Sequence, residues 1–178
     1  IADPAVGRLA LGANTTGGNN TAFGCGALQS NTSGLRNVAL GRLAAQGNTT
    51  ACCNVALGDA ALYTNQTGAN NIAVGINALY TNTASNNTAL GKSALEANTT
   101  GTSNAAVGAN SLDSNTTGSN NVAVGAAAGS AITTGSSNTA VGQNSLQATT
   151  TASSNTAIGL NSLYTNTTGA DNTAVGKD

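Results

Sequence analysis

Apolar positions recur along this chain with a period of seventeen, not the two of a half-buried strand or the 3.6 of a helix. A bulky aliphatic or aromatic residue stands directly before a glycine in eleven places, and Ala precedes it every time. Nine of the ten intervals between these glycines are seventeen residues, and the one from Gly75 to Gly91 is sixteen. The first and last copies are centred on Gly7 and Gly176. Between them the Ala and Gly pairs are Ala22 and Gly24, Ala39 and Gly41, Ala56 and Gly58, Ala73 and Gly75, and Ala89 and Gly91. Ala106 and Gly108, Ala123 and Gly125, Ala140 and Gly142, and Ala157 and Gly159 continue the series. So short a period means that each repeat is one structural unit whose apolar side is buried only by its neighbours.

The consensus reads Asn-x-Ala-(Val/Leu)-Gly-x-x-Ala-Leu-x-x-Asn-Thr-Thr-Gly-x-x. Repeated Gly, Thr-Thr and Asn-Thr runs argue against a helix. The pattern predicts two short strands per repeat, Asn-x-Ala-Val and a second centred on Ala-Leu. Asn-Thr-Thr-Gly then forms a turn in which Gly17, Gly34, Gly68, Gly101, Gly118, Gly135 and Gly169 supply positive φ. Each repeat closes one coil and pairs in parallel with the next. The fold class expected is all-β, a parallel β-solenoid with one coil per 17-residue repeat. Residues 1–178 form a single repeat domain of about ten coils, roughly 50 Å long at strand spacing. It is read as a segment of a longer fibre or as a filament subunit.

Within the first strand, alternation puts the residue before each glycine on one face and the invariant Ala on the other. With the bulky face inside, the Ala face lies outside without ever becoming polar, which fits close packing against a neighbouring chain around a threefold axis. The converse, Ala inside a very thin coil, exposes an aliphatic ladder that also calls for a partner. Asn occupies the fourth position before the glycine in ten copies, with Asp3 in the first. It stacks into an amide ladder or serves the turn through its tolerance of unusual φ.

The segments NTAVG (138–142 and 172–176), NVAVG (121–125), NIAVG (71–75) and NTAIG (155–159) resemble the NSVAIG-type motif in the heads of trimeric autotransporter adhesins. Similar repeats occur in phage tail-fibre shafts. The resemblance covers essentially the whole chain and implies a left-handed parallel β-roll in a side-by-side homotrimer, located outside the cell, at a cell surface or on a virion. This chain departs from the adhesin pattern in its longer coil with an Asn-Thr-Thr-Gly turn.

Charge and chemistry narrow the function classes. Charged residues make up 6% of the chain and the net charge is −1, so there is no basic stripe for nucleic acid. Asn (26) and Thr (27) carry most of the surface polarity. No stretch approaches the roughly twenty apolar residues of a membrane-spanning helix, and no membrane insertion is expected. There is no His, which removes the commonest general base and metal ligand. Glu96 and Asp113 share a phase on adjacent coils and are read as solvated charges. Catalytic residues, metals and cofactors are none.

Cys25, Cys52 and Cys53 are too few for a zinc site. They are candidates for an interchain or vicinal disulfide, or for small buried apolar residues. Asn14, Asn31, Asn48, Asn65, Asn98, Asn115 and Asn166 fit the Asn-x-Ser/Thr glycan acceptor, a triplet that turn chemistry also explains. The expected role is a structural fibre module, the rod or head of an adhesin or tail fibre, with a host-surface or glycan receptor as its partner. An end-to-end extracellular filament is the alternative. Ice binding through the Thr-Thr rows is a third reading, disfavoured because a flat face wants Thr on alternate residues and adjacent Thr at a glycine turn satisfies this poorly.

Overall fold

The computed structural model describes residues 3–178. It contains eleven short strands, β1 (Ala5–Val6), β2 (Thr21–Phe23), β3 (Val38–Leu40), β4 (Val55–Leu57), β5 (Ile72–Val74), β6 (Thr88–Leu90), β7 (Ala105–Val107), β8 (Val122–Val124), β9 (Thr139–Val141), β10 (Thr156–Ile158) and β11 (Thr173–Val175). They form one parallel sheet in sequential order. Ala22 pairs with Ala39, Ala39 with Ala56 and Ala56 with Ala73, and the file continues to Ala174. A parallel sheet whose strands are neighbours in sequence must return by the same route after each strand, which makes the chain a solenoid. The sixteen-residue coil keeps the register, pairing Ala73 with Ala89, because its missing residue falls in the turn around Thr83–Ser85.

The orientation of the strands is the reverse of the one first expected. Every strand Ala from Ala22 to Ala157 is fully buried, whereas Phe23 is 44% exposed, Leu40 41% and Leu90 46%. Ala therefore faces the interior, and the aliphatic residues face out. The interior is filled from the opposite wall, in most coils by Ala three residues and Leu four residues after the glycine, such as Ala27 and Leu28 or Ala94 and Leu95. With a leucine reaching across so narrow a coil, only a methyl group fits on the strand side.

The second wall is not a strand. After each strand the chain reverses at a glycine with φ between +125° and +145° and then runs through successive turns. Residues two and four after that glycine are left-handed, as at Asn110 (φ 55°) and Leu112 (φ 49°). Three-residue turn bonds, such as Ala27 N–H to the Gly24 carbonyl, alternate with bonds to the coils on either side, such as Leu28 N–H to the Ala44 carbonyl. A left-handed leucine costs roughly 1–2 kcal/mol, which burial of its side chain, worth about 1.5–3 kcal/mol, offsets.

The turn glycines also act differently from expectation. Gly17, Gly34, Gly68, Gly101, Gly118, Gly135 and Gly169 do not have positive φ; the residues two further on do, among them Asn19, Arg36, Asn120 and Asp171. At Gly118 a Cβ would collide with the Gly135 carbonyl and crowd the Asn115 and Asn121 side-chain amides. Close approach, not backbone freedom, excludes a side chain there.

One coil shows how the interior tolerates change. Gly129 stands where all other coils but one (Ala45) carry leucine, and Ile132 stands where most carry Asn. Ile132 is fully buried, and its side chain lies against the space that a Cβ on Gly129 would enter. The isoleucine fills the leucine's volume from the next corner of the coil.

Candidate functional site

Two files of asparagine run inside the column. The first is the expected one, Asn20, Asn37, Asn54 and onward to Asn172. Its amide oxygens accept the backbone N–H of the Asn one coil later, for example Asn121 N–H to Asn104 Oδ1 at 2.9 Å. Its Nδ2 groups donate to a turn carbonyl of the next coil, as from Asn121 to Gly135 O at 2.8 Å. Asp3 opens the file: one carboxylate oxygen accepts the Asn20 N–H and the other the Asn14 amide. The stack is thus a ladder in which backbone and side chain alternate as partners.

The second file was not anticipated as a ladder. It comprises the residues read as glycan acceptors, and Asn31, Asn48, Asn65, Asn98 and Asn115 are fully buried. Each donates Nδ2 to the carbonyl three residues ahead, and most also donate to the amide oxygen one coil earlier, as Asn115 does to Asn98 at 2.8 Å. These side chains cannot carry a glycan in the folded column. Asn14 and Asn166 are half-buried and bonded in the same manner. Where Ile132 interrupts the file, Asn115 Oδ1 is buried without a partner, as Asn48 Oδ1 also is although Asn65 follows it.

The outer surface has distinct faces. On the sheet side, the outward residues form two files: Thr21, Val38, Val55, Ile72 and their equivalents, and the bulky residue before each glycine. None of the strand residues is charged, and Phe23, Leu40, Ile72, Leu90, Val124 and Ile158 are all exposed. The file before the glycines is apolar throughout, whereas the other carries Thr at Thr21, Thr88, Thr139, Thr156 and Thr173.

On the opposite wall, one file runs Gln29, Gln46, Tyr63, Tyr80, Glu96, Asp113. The two glutamine amides are hydrogen-bonded at 3.1 Å, and the tyrosine rings stack with centroids 5.0 Å apart and 6° between planes. Glu96 and Asp113 therefore follow the aromatic pair on consecutive coils. Burial raises the Asp113 pKa above the usual carboxylate value and the Glu96 charge adds to it, against hydrogen bonds from Ser114 and its own backbone. A carboxyl whose pKa is higher folded than unfolded stabilises the fold in relative terms below the unfolded value, and that contribution is lost as pH rises through the folded one. Asp113→Asn should therefore gain stability over the parent chain as pH rises through and beyond the acidic range. Urea midpoints of both chains at several pH values measure this, and parallel pH profiles would refute it.

All three cysteines are free thiols. Cys25 is exposed, in a file with Arg8 and Arg42, and Arg42 pairs with Asp59 at 3.0 Å on the surface. Cys52 and Cys53 are half-buried at the turn. A hydrogen bond with the Cys53 side chain, followed by burial, raises the Cys52 thiol pKa, with Arg36 opposing. Among the described residues no group of three or more His, Cys, Asp or Glu is placed to hold a metal ion, and no helix is long and apolar enough to cross a membrane. No family model, curated protein or solved structure matches the chain.

Proposed function

We propose that this chain is a structural fibre module, the rod or head of a surface adhesin or tail fibre, and that it performs no catalysis. The observation that carries the reading is the uncharged apolar strip along the whole sheet. Leaving so many aliphatic side chains in water is unfavourable by about 25 cal/mol per Å², and a partner with the same rung spacing covers them along their full length. A further copy of this chain has that spacing by construction. Three copies side by side, with their sheets towards a common axis, is the arrangement implied by the resemblance to adhesin heads. The small Ala face first assigned to this contact is inside each coil, so the contact falls to the aliphatic face instead. In such an assembly the opposite wall and the turns remain outward, available to a host-surface or glycan receptor, in an extracellular or virion setting.

Light scattering of the purified chain tests the assembly. Three times the chain mass is expected, and Val124→Asp, an outward residue 40% exposed, should yield folded monomers. A parent chain that is monomeric at micromolar concentration would reject side-by-side association.

A further inference from the structure

A flat ice-binding face favours Thr on alternate residues, and by sequence alone adjacent threonines at a glycine turn meet that requirement poorly. The structure removes that objection. The threonines at 99–100, 116–117 and 133–134 lie in a curled segment whose consecutive N–H groups converge on one carbonyl of the next coil. Thr99 and Thr100 both donate to Thr116 O at 2.9 and 3.2 Å, and Thr116 and Thr117 both donate to Thr133 O at 2.8 and 3.3 Å. Consecutive N–H groups that converge in this way form a nest, and both threonines of a pair reach solvent: Thr99, Thr116, Thr133 and Thr150 are half-buried, and Thr100, Thr117, Thr134 and Thr151 are exposed.

The result is two adjacent threonine files. In the inner file the hydroxyls are fixed: Thr99, Thr116 and Thr133 each donate Oγ1–H to the same carbonyl of the next coil, at 2.9–3.2 Å. In the outer file Thr100, Thr117, Thr134, Thr151 and Thr168 are all exposed, and their hydroxyls make no hydrogen bond within the chain. From Thr99 to Thr168 all ten positions of the two files are threonine, with no charged residue among them. Nearer the N-terminus the pattern breaks at Ser33, at Gln66 and at Ala84 in the short coil.

We infer that this array of five threonine pairs is an ice-binding surface. Its ligand is the water lattice itself. Rungs about 4.8 Å apart come close to the repeat along the a axis of hexagonal ice, and the inner file is held at Thr99, Thr116 and Thr133 by bonds along the column. The outer file presents a free hydroxyl and a methyl group at each rung, able to hydrogen-bond and to pack against an ordered water layer. An uncharged, pre-ordered surface spares the entropy that a flexible polar surface would lose on binding. The inference is independent of how the sheet faces associate, since the threonines lie at the turn and not on the sheet.

The test is growth of a seeded ice crystal in a solution of the full chain, observed on a cooling stage. A faceted crystal and a gap between melting and growth temperatures are expected. Thr134→Lys, in the middle of the array and at a hydroxyl with no internal bond, should abolish most of that gap. Thr50→Lys, outside the array, should leave it unchanged. Circular dichroism of each variant establishes that the coil is retained. A rounded crystal with no gap at millimolar concentration would overturn the inference, as would a gap insensitive to Thr134→Lys or equally sensitive to Thr50→Lys.

Discussion

Asn121→Leu is expected to destabilise the column by about 2–6 kcal/mol, although leucine is the more apolar residue. Asn121 is fully buried, and its amide serves three groups. Oδ1 accepts the backbone N–H of Asn138 at 2.9 Å and its side-chain amide at 3.2 Å, while Nδ2 donates to Gly135 O at 2.8 Å. Leucine leaves the Asn138 N–H and the Gly135 carbonyl buried without those partners, and each such group costs roughly 1–3 kcal/mol. Against a total stability of about 5–15 kcal/mol for a typical domain, that is a large fraction. In a solenoid, stability is a sum of neighbour contacts, so the damage should be local to one interface. Urea denaturation followed by circular dichroism should then show two steps, as the segments on either side of the break unfold separately. A single transition within about 0.5 kcal/mol of the parent, the usual range of a surface substitution, would mean that the amide file contributes little to stability.

Gly108→Ala should be of similar severity for a different reason. Gly108 has φ +133°, a conformation that L side chains rarely adopt, and strain there costs on the order of 1–3 kcal/mol. A Cβ would also lie 2.5 Å from the Gly125 carbonyl oxygen and 2.6 Å from its carbon. That segment cannot retreat freely, because the Gly125 N–H is bonded to Val107 O at 2.8 Å. The two effects together amount to about 2–6 kcal/mol. Gly176 separates them: its φ is +139°, but nothing lies within 4 Å of a Cβ placed there. Gly176→Ala should therefore cost the dihedral strain alone. Equal losses of thermal stability in the two variants would show that contact between coils at the glycine file has no part in the effect.

Much of this architecture is legible in the spacing of the glycines, which requires stacked coils with like residues in register. The amide ladder is legible too, since Asn holds one phase throughout. Which face of the strand lies inside is harder to read, because neither face carries charge and alternation alone permits both orientations. A signal was nonetheless present. The residue before each glycine ranges in size from Val to Phe, as open space allows, whereas Ala never varies, as a confined site demands. The second wall misleads because Ala-Leu looks like a strand, and nothing about leucine suggests a left-handed backbone. The buried second Asn file was hidden for a related reason, because Asn-Thr-Thr-Gly satisfies the chemistry of an ordinary exposed turn. The exchange of Leu and Asn for Gly129 and Ile132 is intelligible only once the two positions are known to border one volume.

The amide files have a sense of direction, because each Oδ1 in the first file accepts from the coil that follows it. A coil inserted head-first would set oxygen against oxygen, whereas one inserted in the common sense would meet the same donors and acceptors on both sides. Duplicating or deleting a whole winding therefore keeps the alternation of donors and acceptors along the file and changes the span by about 4.8 Å. The length of the column can thus change in fixed increments with its internal polarity intact.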